Sequence, residues 1–230
     1  MIIAGLQNLS LVDFPGYLSS VVFVQGCNFY CEYCYNPDLI TTEKHFEFSE
    51  KDAFDFFSRR KNMIEGVVIS GGEPTLHKDL PGFIKRIKDM GFKIKLDTNG
   101  SNPGQLEELF RMWLLDYTAV DIKTSLRKYS LVTNQENIEK VMLRTIRLAM
   151  LSTRPYEFRT TCAPGIVEEE DFHMIGEVVK GAKKYCLQQF RPLITYNKNF
   201  QDVKPYDKKE LEGFRSILKD FVEEVEIRGI

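Results

Sequence analysis

Three cysteines lie within eight consecutive positions of this 230-residue chain, with the spacing Cys27-x3-Cys31-x2-Cys34. The two other cysteines, Cys162 and Cys186, lie far away along the sequence. An odd number of cysteines fits poorly with a framework of disulfide bonds. Thiolates so close together instead indicate metal binding or redox chemistry, because the thiolate is both a nucleophile and a metal ligand.

Three kinds of site fit this cysteine spacing. A structural zinc site needs four ligands, and His45 could complete a Cys3His set. A redox pair needs only Cys31 and Cys34, and it leaves Cys27 without a role. An iron–sulfur cluster is held by thiolates, and a four-iron cluster with three cysteines leaves one iron open for another ligand. The spacing alone does not separate zinc from a cluster.

The composition is that of an ordinary globular protein. Apolar residues make up 43% of the chain and charged residues 28%, which argues against intrinsic disorder. No apolar run is long enough to cross a bilayer, and Asp13 interrupts the apolar stretch that a signal peptide would need. We therefore expect a cytoplasmic protein. The net charge of −2 predicts no general attraction to nucleic acid.

Short β-type runs alternate with amphipathic helical patterns along almost the whole chain. The predicted strands span residues 21–24, 67–70, 93–97, 117–122, 157–162 and 187–190, with a possible last short strand at 225–229. The predicted helices span residues 51–62, 80–90, 103–113, 138–151, 169–184 and 207–221. Six successive β–α units predict a parallel sheet with right-handed crossovers.

This pattern predicts an α/β fold in a single domain over residues 1–230. A complete barrel of eight β–α units takes about 250 residues, so six units favour a partial (β/α)6 TIM-like barrel that stays open. The segment at 225–229 would add an edge strand at the C-terminus. Residues 197–206 are the best candidate for a long exposed loop.

Polar residues follow the predicted strands at their carboxyl ends, where parallel α/β folds bind their ligands. These groups are the cysteine loop, Ser70-Gly71-Gly72-Glu73-Pro74, Asp97-Thr98-Asn99-Gly100, Asp121-Ile122-Lys123, Arg159 with Cys162-Ala163-Pro164-Gly165, and Gln188, Gln189 and Arg191. Each group alone is an ordinary turn sequence or a surface charge. Their joint position after successive strands predicts that they form one site.

The motif Cys27-x3-Cys31-x-Tyr33-Cys34, followed by Gly71-Gly72-Glu73-Pro74, resembles the radical S-adenosylmethionine (SAM) superfamily. The segments at 97–100 and 121–123 are similar to those of the activating enzymes of glycyl-radical proteins. Residues 5–7, 10–16 and 25–28 resemble, more narrowly, the activating proteins of anaerobic ribonucleotide reductases. The resemblance runs from residue 1 to about residue 191.

This resemblance implies that Cys27, Cys31 and Cys34 hold a [4Fe–4S] cluster whose open iron binds the amino and carboxylate groups of SAM. An electron from the reduced cluster would then cleave SAM into methionine and a 5′-deoxyadenosyl radical. The implied partner is a large glycyl-radical protein, most specifically anaerobic ribonucleotide reductase, from whose glycine Cα the radical abstracts hydrogen. A flavodoxin or ferredoxin would supply the electron.

The resemblance also implies roles for the side chains at the strand ends. Gly71, Gly72, Glu73 and Pro74 would face the methionine amino group, and Tyr33 the adenine. Asp97, Thr98 and Asp121 would bind a monovalent cation or the ribose, with Asn99 and Arg191 as further candidates. Lys123 and Arg159 suit the methionine carboxylate by their charge and their position at strand ends. Tyr35 stands where many relatives have histidine, and Gln189 and Arg191 stand where some activating enzymes offer histidine to the ribose. Cys162 and Cys186 are expected to be buried as small apolar side chains.

Two other functions are open from the sequence alone. A radical SAM enzyme could act on a small molecule or a nucleoside held in the open side of the barrel. A non-catalytic Cys3His zinc protein would use His45, but it leaves the segments at 71–74 and 97–100 without a role. For an activating enzyme, the docking surface for the partner should surround the rim, and residues 35–45 and 197–206 are candidates.

Overall fold

The computed structural model describes residues 1–41 and 48–230. Its strands are β1 (Ile3–Ser10), β2 (Ser19–Val24), β3 (Gly66–Gly71), β4 (Lys93–Thr98), β5 (Tyr117–Asp121), β6 (Tyr156–Cys162), β7 (Lys184–Gln189) and β8 (Glu224–Arg228). These strands form one sheet in which they lie side by side in sequence order. β1 is antiparallel to β2, and all later neighbours are parallel.

The helices connect successive parallel strands. They are α1 (Glu50–Arg60), α2 (Leu80–Asp89), α3 (Pro103–Arg111), α4 (Tyr129–Thr133), α5 (Ile138–Leu151), α6 (Glu169–Val178) and α7 (Lys208–Leu218), with short 3-10 helices at Pro37–Leu39, Pro74–Leu76, Leu126–Lys128 and Lys198–Asp202. A capping box of Ser49 and Asp52 begins α1. At the start of α3, the side chain of Asn102 accepts a hydrogen bond from the N–H of Gln105.

The predicted fold class is confirmed. Each strand from β2 to β7 is followed by a helix, which gives six β–α units, and β8 is the additional C-terminal strand. In the described residues β1 and β8 are the two ends of the strand order and do not pair with each other. The sheet is therefore an open, partial TIM-like barrel rather than a closed one.

The antiparallel strand β1 is not predicted by the pattern analysis. Gly5, Gln7 and Asn8 interrupt its apolar run, so the sequence lacks a clear alternation. The segment becomes a strand because it pairs with β2, for example through Leu6 opposite Val22. Whether a segment pairs with a neighbouring strand depends on that strand as well as on the segment's own residues.

Two other boundaries differ from the sequence-based expectation. Helix α6 ends at Val178 rather than 184, because the chain turns at Gly181, which has a φ of +85° and leads into β7. Residues 197–206 belong to the connection between β7 and α7 and are mostly exposed or half-buried, as predicted, but they are not entirely irregular. They contain a 3-10 helix whose Phe200 is buried against the ring of Tyr33.

The apolar core lies between the sheet and the helices around it. Strands β2 to β4 pack against α1 to α3, and β5 to β8 pack against α4 to α7. Alternate residues of a strand point to opposite faces. In β4, Ile94 and Leu96 belong to this core, while Lys95 and Asp97 line the inner side of the barrel. No helix in the described part of the chain is long and apolar enough to cross a membrane.

Candidate active site

A cavity of about 960 Å³ opens at the carboxyl ends of the strands. Its wall includes most of the predicted site residues: Cys27, Cys31, Tyr33, Cys34, Gly71, Gly72, Asp97, Thr98, Asn99, Asp121, Lys123, Arg159 and Arg191. Glu73 and Pro74 are buried beside the cavity instead of lining it. The structure thus brings the strand-end groups together, and their roles toward a ligand stay predictions.

The three cysteines occupy the loop after β2, and backbone hydrogen bonds hold this loop in place. The N–H of Gly26 donates to the carbonyl oxygen of Leu39 at 2.8 Å. The N–H of Cys34 donates to the carbonyl oxygen of Cys31 at 3.0 Å, and the carbonyl oxygen of Cys34 accepts from the N–H of Tyr196 at 3.1 Å. These bonds fix the backbone that carries the thiols into the cavity wall.

The thiols are protonated at neutral pH when no metal is bound to them. Burial raises the pKa of Cys27 to about 12 and that of Cys31 to about 11, and it also raises the pKa of Cys34. A metal that binds these sulfurs must displace their protons. The N–H of Phe29 donates to the sulfur of Cys27 at 3.4 Å, and such a bond favours the thiolate form.

The donor set of this loop fits an iron–sulfur cluster, in which three thiolates bind three different iron atoms. Among the residues that the structure describes, no three Cys, His, Asp or Glu side chains are grouped so that they could hold a metal ion. His45, the fourth ligand of the alternative zinc site, lies outside the described residues.

The two glycines at the end of β3 lie against the cysteine loop. The N–H of Glu73 donates to the carbonyl oxygen of Gly26 at 2.7 Å. A Cβ at Gly72 would overlap that same carbonyl oxygen, and Gly71 has a φ of +111°, which favours glycine. The close neighbour that requires glycine is therefore the backbone leading into Cys27. Two motifs that are distant in sequence form one packed unit.

The carboxylate of Glu73 is fully buried and joins the ends of β3 and β4. Its Oε1 accepts hydrogen bonds from the hydroxyls of Thr75 and Thr98, the latter at 2.7 Å. Its Oε2 accepts from the N–H of Asn99 at 2.6 Å. Burial raises the pKa of Glu73, and these hydrogen bonds oppose the rise. Glu73 thereby positions Asn99, whose Nδ2 lies 3.8 Å from the sulfur of Cys27.

We expect Glu73→Gln to lower the free energy of unfolding by about 1–3 kcal/mol, because it leaves a buried polar group unpaired. The glutamine amide brings an N–H group where the carboxylate offers an acceptor to Thr98 or Asn99. Urea unfolding measures the change. The exposed Glu136→Gln is the matched control, with an expected change below about 0.5 kcal/mol. Equal stability of the two variants would contradict the structural role of Glu73.

Five charged side chains line one part of the cavity, which we call the charged floor: Lys95, Asp97, Asp121, Lys123 and Arg159. Arg159 donates to both carboxylates, at 3.2 Å to Asp97 Oδ2 and 2.8 Å to Asp121 Oδ1. The Nζ of Lys95 lies 2.5 Å from Asp97 Oδ1, and that of Lys123 lies 3.1 Å from Asp121 Oδ2. Burial alone would raise the pKa of Asp121, but Arg159 and Lys123 bring it down to about 2. The carboxylate is therefore ionised at neutral pH.

Sequence reasoning does not identify Lys95 as a site residue. A lysine within a strand is normally read as a surface residue, because lysine is almost never fully buried unless it is paired. The side chain of Lys95 is nevertheless only 1% exposed. The signal that could have found it is the period-two spacing to Asp97, which puts both side chains on one face of β4.

The part of the chain that builds this cavity matches a known protein family. The sequence model of the radical SAM superfamily matches residues 21–175, which include the three clustered cysteines and all five residues of the charged floor. The chain belongs to the radical SAM superfamily. It is an enzyme of that superfamily, as the sequence motifs predict.

Two relatives resemble this radical SAM chain over most of their length. One is a Methanocaldococcus jannaschii protein whose name describes it as a glycyl-radical enzyme activating enzyme. It is 35% identical to this chain over 236 residues, and the alignment covers 100% of this chain and 96% of that protein. The pyruvate formate-lyase-activating enzyme of Streptococcus mutans is 31% identical over 206 residues, with 84% of this chain and 76% of that protein covered.

Solved structures of other proteins share the fold. TYW1 with a lysine–pyruvate adduct matches with a TM-score of 0.62 and 15% identity, over 88% of this chain and 73% of that protein. SuiB of Streptococcus suis bound to SAM matches with a TM-score of 0.69 and 16% identity, over 91% of this chain and 50% of that protein. At such identities the likeness concerns the fold, and it agrees with the open α/β barrel described above.

Two tyrosines flank the third cysteine of this radical SAM motif. Tyr33 is buried, and its hydroxyl has no hydrogen-bond partner within residues 1–41 and 48–230. The hydroxyl of Tyr35 accepts a hydrogen bond from the N–H of Arg191 at 2.8 Å, and its ring stacks on Phe190. Because a buried hydroxyl is normally paired, Tyr33 fits a residue that contacts a bound ligand. The contact of Tyr33 with adenine stays a prediction.

The remaining cysteines and one histidine are structural in this radical SAM chain. Cys162 and Cys186 are fully buried, so the prediction that they pack as small apolar side chains is confirmed. The Nε2 of His77 lies 2.9 Å from the carbonyl oxygen of Gln25, which holds the lead-in to the cysteine loop. Gln189 lines the cavity, and its Nε2 donates to the carbonyl oxygen of Tyr206.

Proposed function

We propose that this enzyme generates a glycyl radical on a partner protein, and that the partner is anaerobic ribonucleotide reductase. The observation that carries the activating role is the 35% identity, over the whole chain, to a relative named for glycyl-radical enzyme activation. The Streptococcus mutans activating enzyme supports the same class. The choice of ribonucleotide reductase rests on residues 5–7, 10–16 and 25–28, which resemble the activating proteins of that enzyme.

Cys27, Cys31 and Cys34 would hold a [4Fe–4S] cluster, and the cavity beside them would bind SAM. Two structural neighbours support this, since a Kitasatospora setae methyltransferase carries such a cluster and SuiB has been solved with SAM. When bound, the cluster supplies the electron that cleaves the C5′–S bond of SAM. The task of this chain is then to orient SAM and to keep water and other reactants away from the radical.

The charged floor would orient the methionine end of SAM. It contains three cationic and two anionic side chains, so it has a surplus of one positive charge that suits one carboxylate. Lys123 and Arg159 are the groups proposed to contact that carboxylate, since Arg offers a planar fork and Lys a point charge. The segment at 71–74 would face the methionine amino group, and Tyr33 the adenine.

The cavity would also admit a segment of the partner that carries the glycine. Its volume of about 960 Å³ is at the upper end of the range for small-molecule sites, which leaves room beside SAM. A hydrogen atom of the glycine Cα would move to the 5′ carbon of the deoxyadenosyl radical, so 5′-deoxyadenosine and a glycyl radical form together. A flavodoxin or ferredoxin is the proposed electron donor.

We expect the purified, iron-loaded and reduced enzyme to cleave SAM and to produce a glycyl radical on anaerobic ribonucleotide reductase. The first readout is the 5′-deoxyadenosine released, and the second is the electron paramagnetic resonance signal of the partner. The control partner carries alanine in place of its radical glycine and should give no signal. A pyruvate formate-lyase is tested in parallel.

Each outcome selects one function. A radical on the reductase alone supports the proposal, whereas a radical on pyruvate formate-lyase alone keeps the activating role and replaces the partner. SAM cleavage without a radical on either protein overturns the proposal and favours a small molecule or a nucleoside as substrate. Zinc in place of iron, with no SAM cleavage, would leave a zinc-binding protein.

A further inference from the structure

Lys95 is a charged residue in a position that an apolar side chain would normally fill. It lies in the middle of β4 with its neighbours Ile94 and Leu96 in the core, and its side chain is 1% exposed. Burying an ammonium group costs free energy unless a partner compensates it. The compensation here is the carboxylate of Asp97 at 2.5 Å, with the ring of Tyr117 5.9 Å from Nζ.

The carboxylates of the charged floor have no oxygen without a cationic partner. Asp97 binds Lys95 through Oδ1 and Arg159 through Oδ2, and Asp121 binds Arg159 through Oδ1 and Lys123 through Oδ2. The sequence-based hypothesis places a monovalent cation near Asp97, Thr98 and Asp121. Such an ion would have to compete with ammonium and guanidinium groups that are tethered to the fold.

The charge of the floor depends on Lys95. With Lys95 the floor has one surplus positive charge. Without Lys95 the two remaining cations, Arg159 and Lys123, balance the two carboxylates. Glu157 lies two residues before Arg159 in β6. Its carboxylate does not change the charge of the floor, since both of its oxygens are bonded to Arg228. An inorganic cation added to the present floor would raise the surplus to two charges in a largely buried site.

We propose that Lys95 is a positioning residue whose ammonium group gives the floor its surplus positive charge, in place of a bound inorganic cation. The floor then accepts the carboxylate of SAM without potassium or sodium. This inference rests on the use of SAM proposed above, and it is independent of the identity of the partner protein. Lys95 acts through Asp97 and Arg159 rather than by touching the reacting atoms.

The test compares wild type with Lys95→Met, a side chain of similar length without charge. In a potassium-free buffer, equilibrium dialysis on the cluster-loaded proteins measures the affinity for SAM and for decarboxylated SAM. We expect the wild type to bind SAM more tightly than decarboxylated SAM. In Lys95→Met the ratio of the two affinities should fall at least about tenfold, which corresponds to the free energy of one charge-assisted hydrogen bond. Potassium should restore part of the preference in the variant and change nothing in the wild type.

A second readout uses the protein without iron. The thermal midpoint is measured in potassium, sodium and tetramethylammonium chloride at one ionic strength. Potassium and sodium should raise the thermal midpoint of Lys95→Met more than tetramethylammonium does. The double variant Lys95→Met with Asp97→Asn again has a floor with one surplus positive charge, so its midpoint should not depend on the cation. Lys85→Met is the control, because Lys85 pairs with Asp89 on the exposed face of α2.

The outcomes that overturn the proposal are equally defined. The proposal is refuted if the affinity of the wild type for SAM depends on potassium. This outcome does not depend on the variants, so it decides the question even when Lys95→Met does not fold. Equal loss of affinity for SAM and for decarboxylated SAM in Lys95→Met would reduce Lys95 to a packing residue. Failure of the wild type to bind SAM at all would instead refute the proposed function on which the inference rests.

Discussion

Cys31→Ala is expected to abolish iron binding and SAM cleavage together. Loss of a group that only supports a metal ligand typically costs 10–100-fold in metal affinity, so loss of a ligand itself should cost more than about 100-fold. Iron per chain and released 5′-deoxyadenosine measure the two effects. The same result is expected for Cys27 and Cys34, because all three line the same cavity wall.

The matched control for this prediction is Cys186→Ala. Cys186 is also fully buried, but it lies in the middle of β7 and outside the cavity wall. Its loss removes one buried sulfur, which we expect to cost about 1 kcal/mol of stability while iron content stays at the wild-type value. A Cys31→Ala protein that retains a full complement of iron would refute the assignment of the cluster to this loop.

Gly72→Ala should have the second largest effect, on stability and on iron content at once. The added Cβ would overlap the carbonyl oxygen of Gly26, which belongs to backbone and cannot rotate away. Overpacking costs about 1–3 kcal/mol where side chains can adjust, so a backbone clash should reach or exceed the upper value. For a chain of this length that is a fall of at least about 6 °C in the thermal midpoint.

Gly213→Ala is the control for Gly72→Ala. Gly213 lies in α7, and a Cβ there would meet nothing within 4 Å. Alanine in a helix interior is favoured over glycine by about 1 kcal/mol, so the control should be slightly stabilised. Normal iron content in a folded Gly72→Ala protein would mean that the cysteine loop and the end of β3 move independently.

Much of the fold follows from patterns that are local in sequence. The alternation of strands and amphipathic helices predicts the six β–α units, since each element buries an apolar face whose period is visible in the sequence. The polar segments at strand ends could be assigned to one rim for the same reason, because parallel strands present their carboxyl ends on one side.

The features that sequence reasoning misses depend on tertiary partners. β1 is a strand because β2 provides its hydrogen bonds, and Lys95 is internal because Asp97 compensates its charge. The glycines at 71 and 72 could be read as allowing a ligand to approach, whereas the structure shows the backbone of Val24 beside Gly71 and that of Gly26 beside Gly72. In each case the residue that explains the structure either lies on another segment or can be recognised only when the position of the strand in the sheet is known.

The antiparallel pairing of β1 with β2 has a consequence for the order of folding. This pair joins residues 3–24 through a short connection, whereas every other pair in the sheet needs a crossover that includes a helix. Local pairs pay less loop-closure entropy and form sooner than distant ones. The strand that leads into the cysteine loop can therefore acquire its first partner while β3 and the later strands are still unstructured. At that moment the three thiols would be accessible to solvent, so we expect iron and sulfide to bind most readily before the barrel has assembled around them.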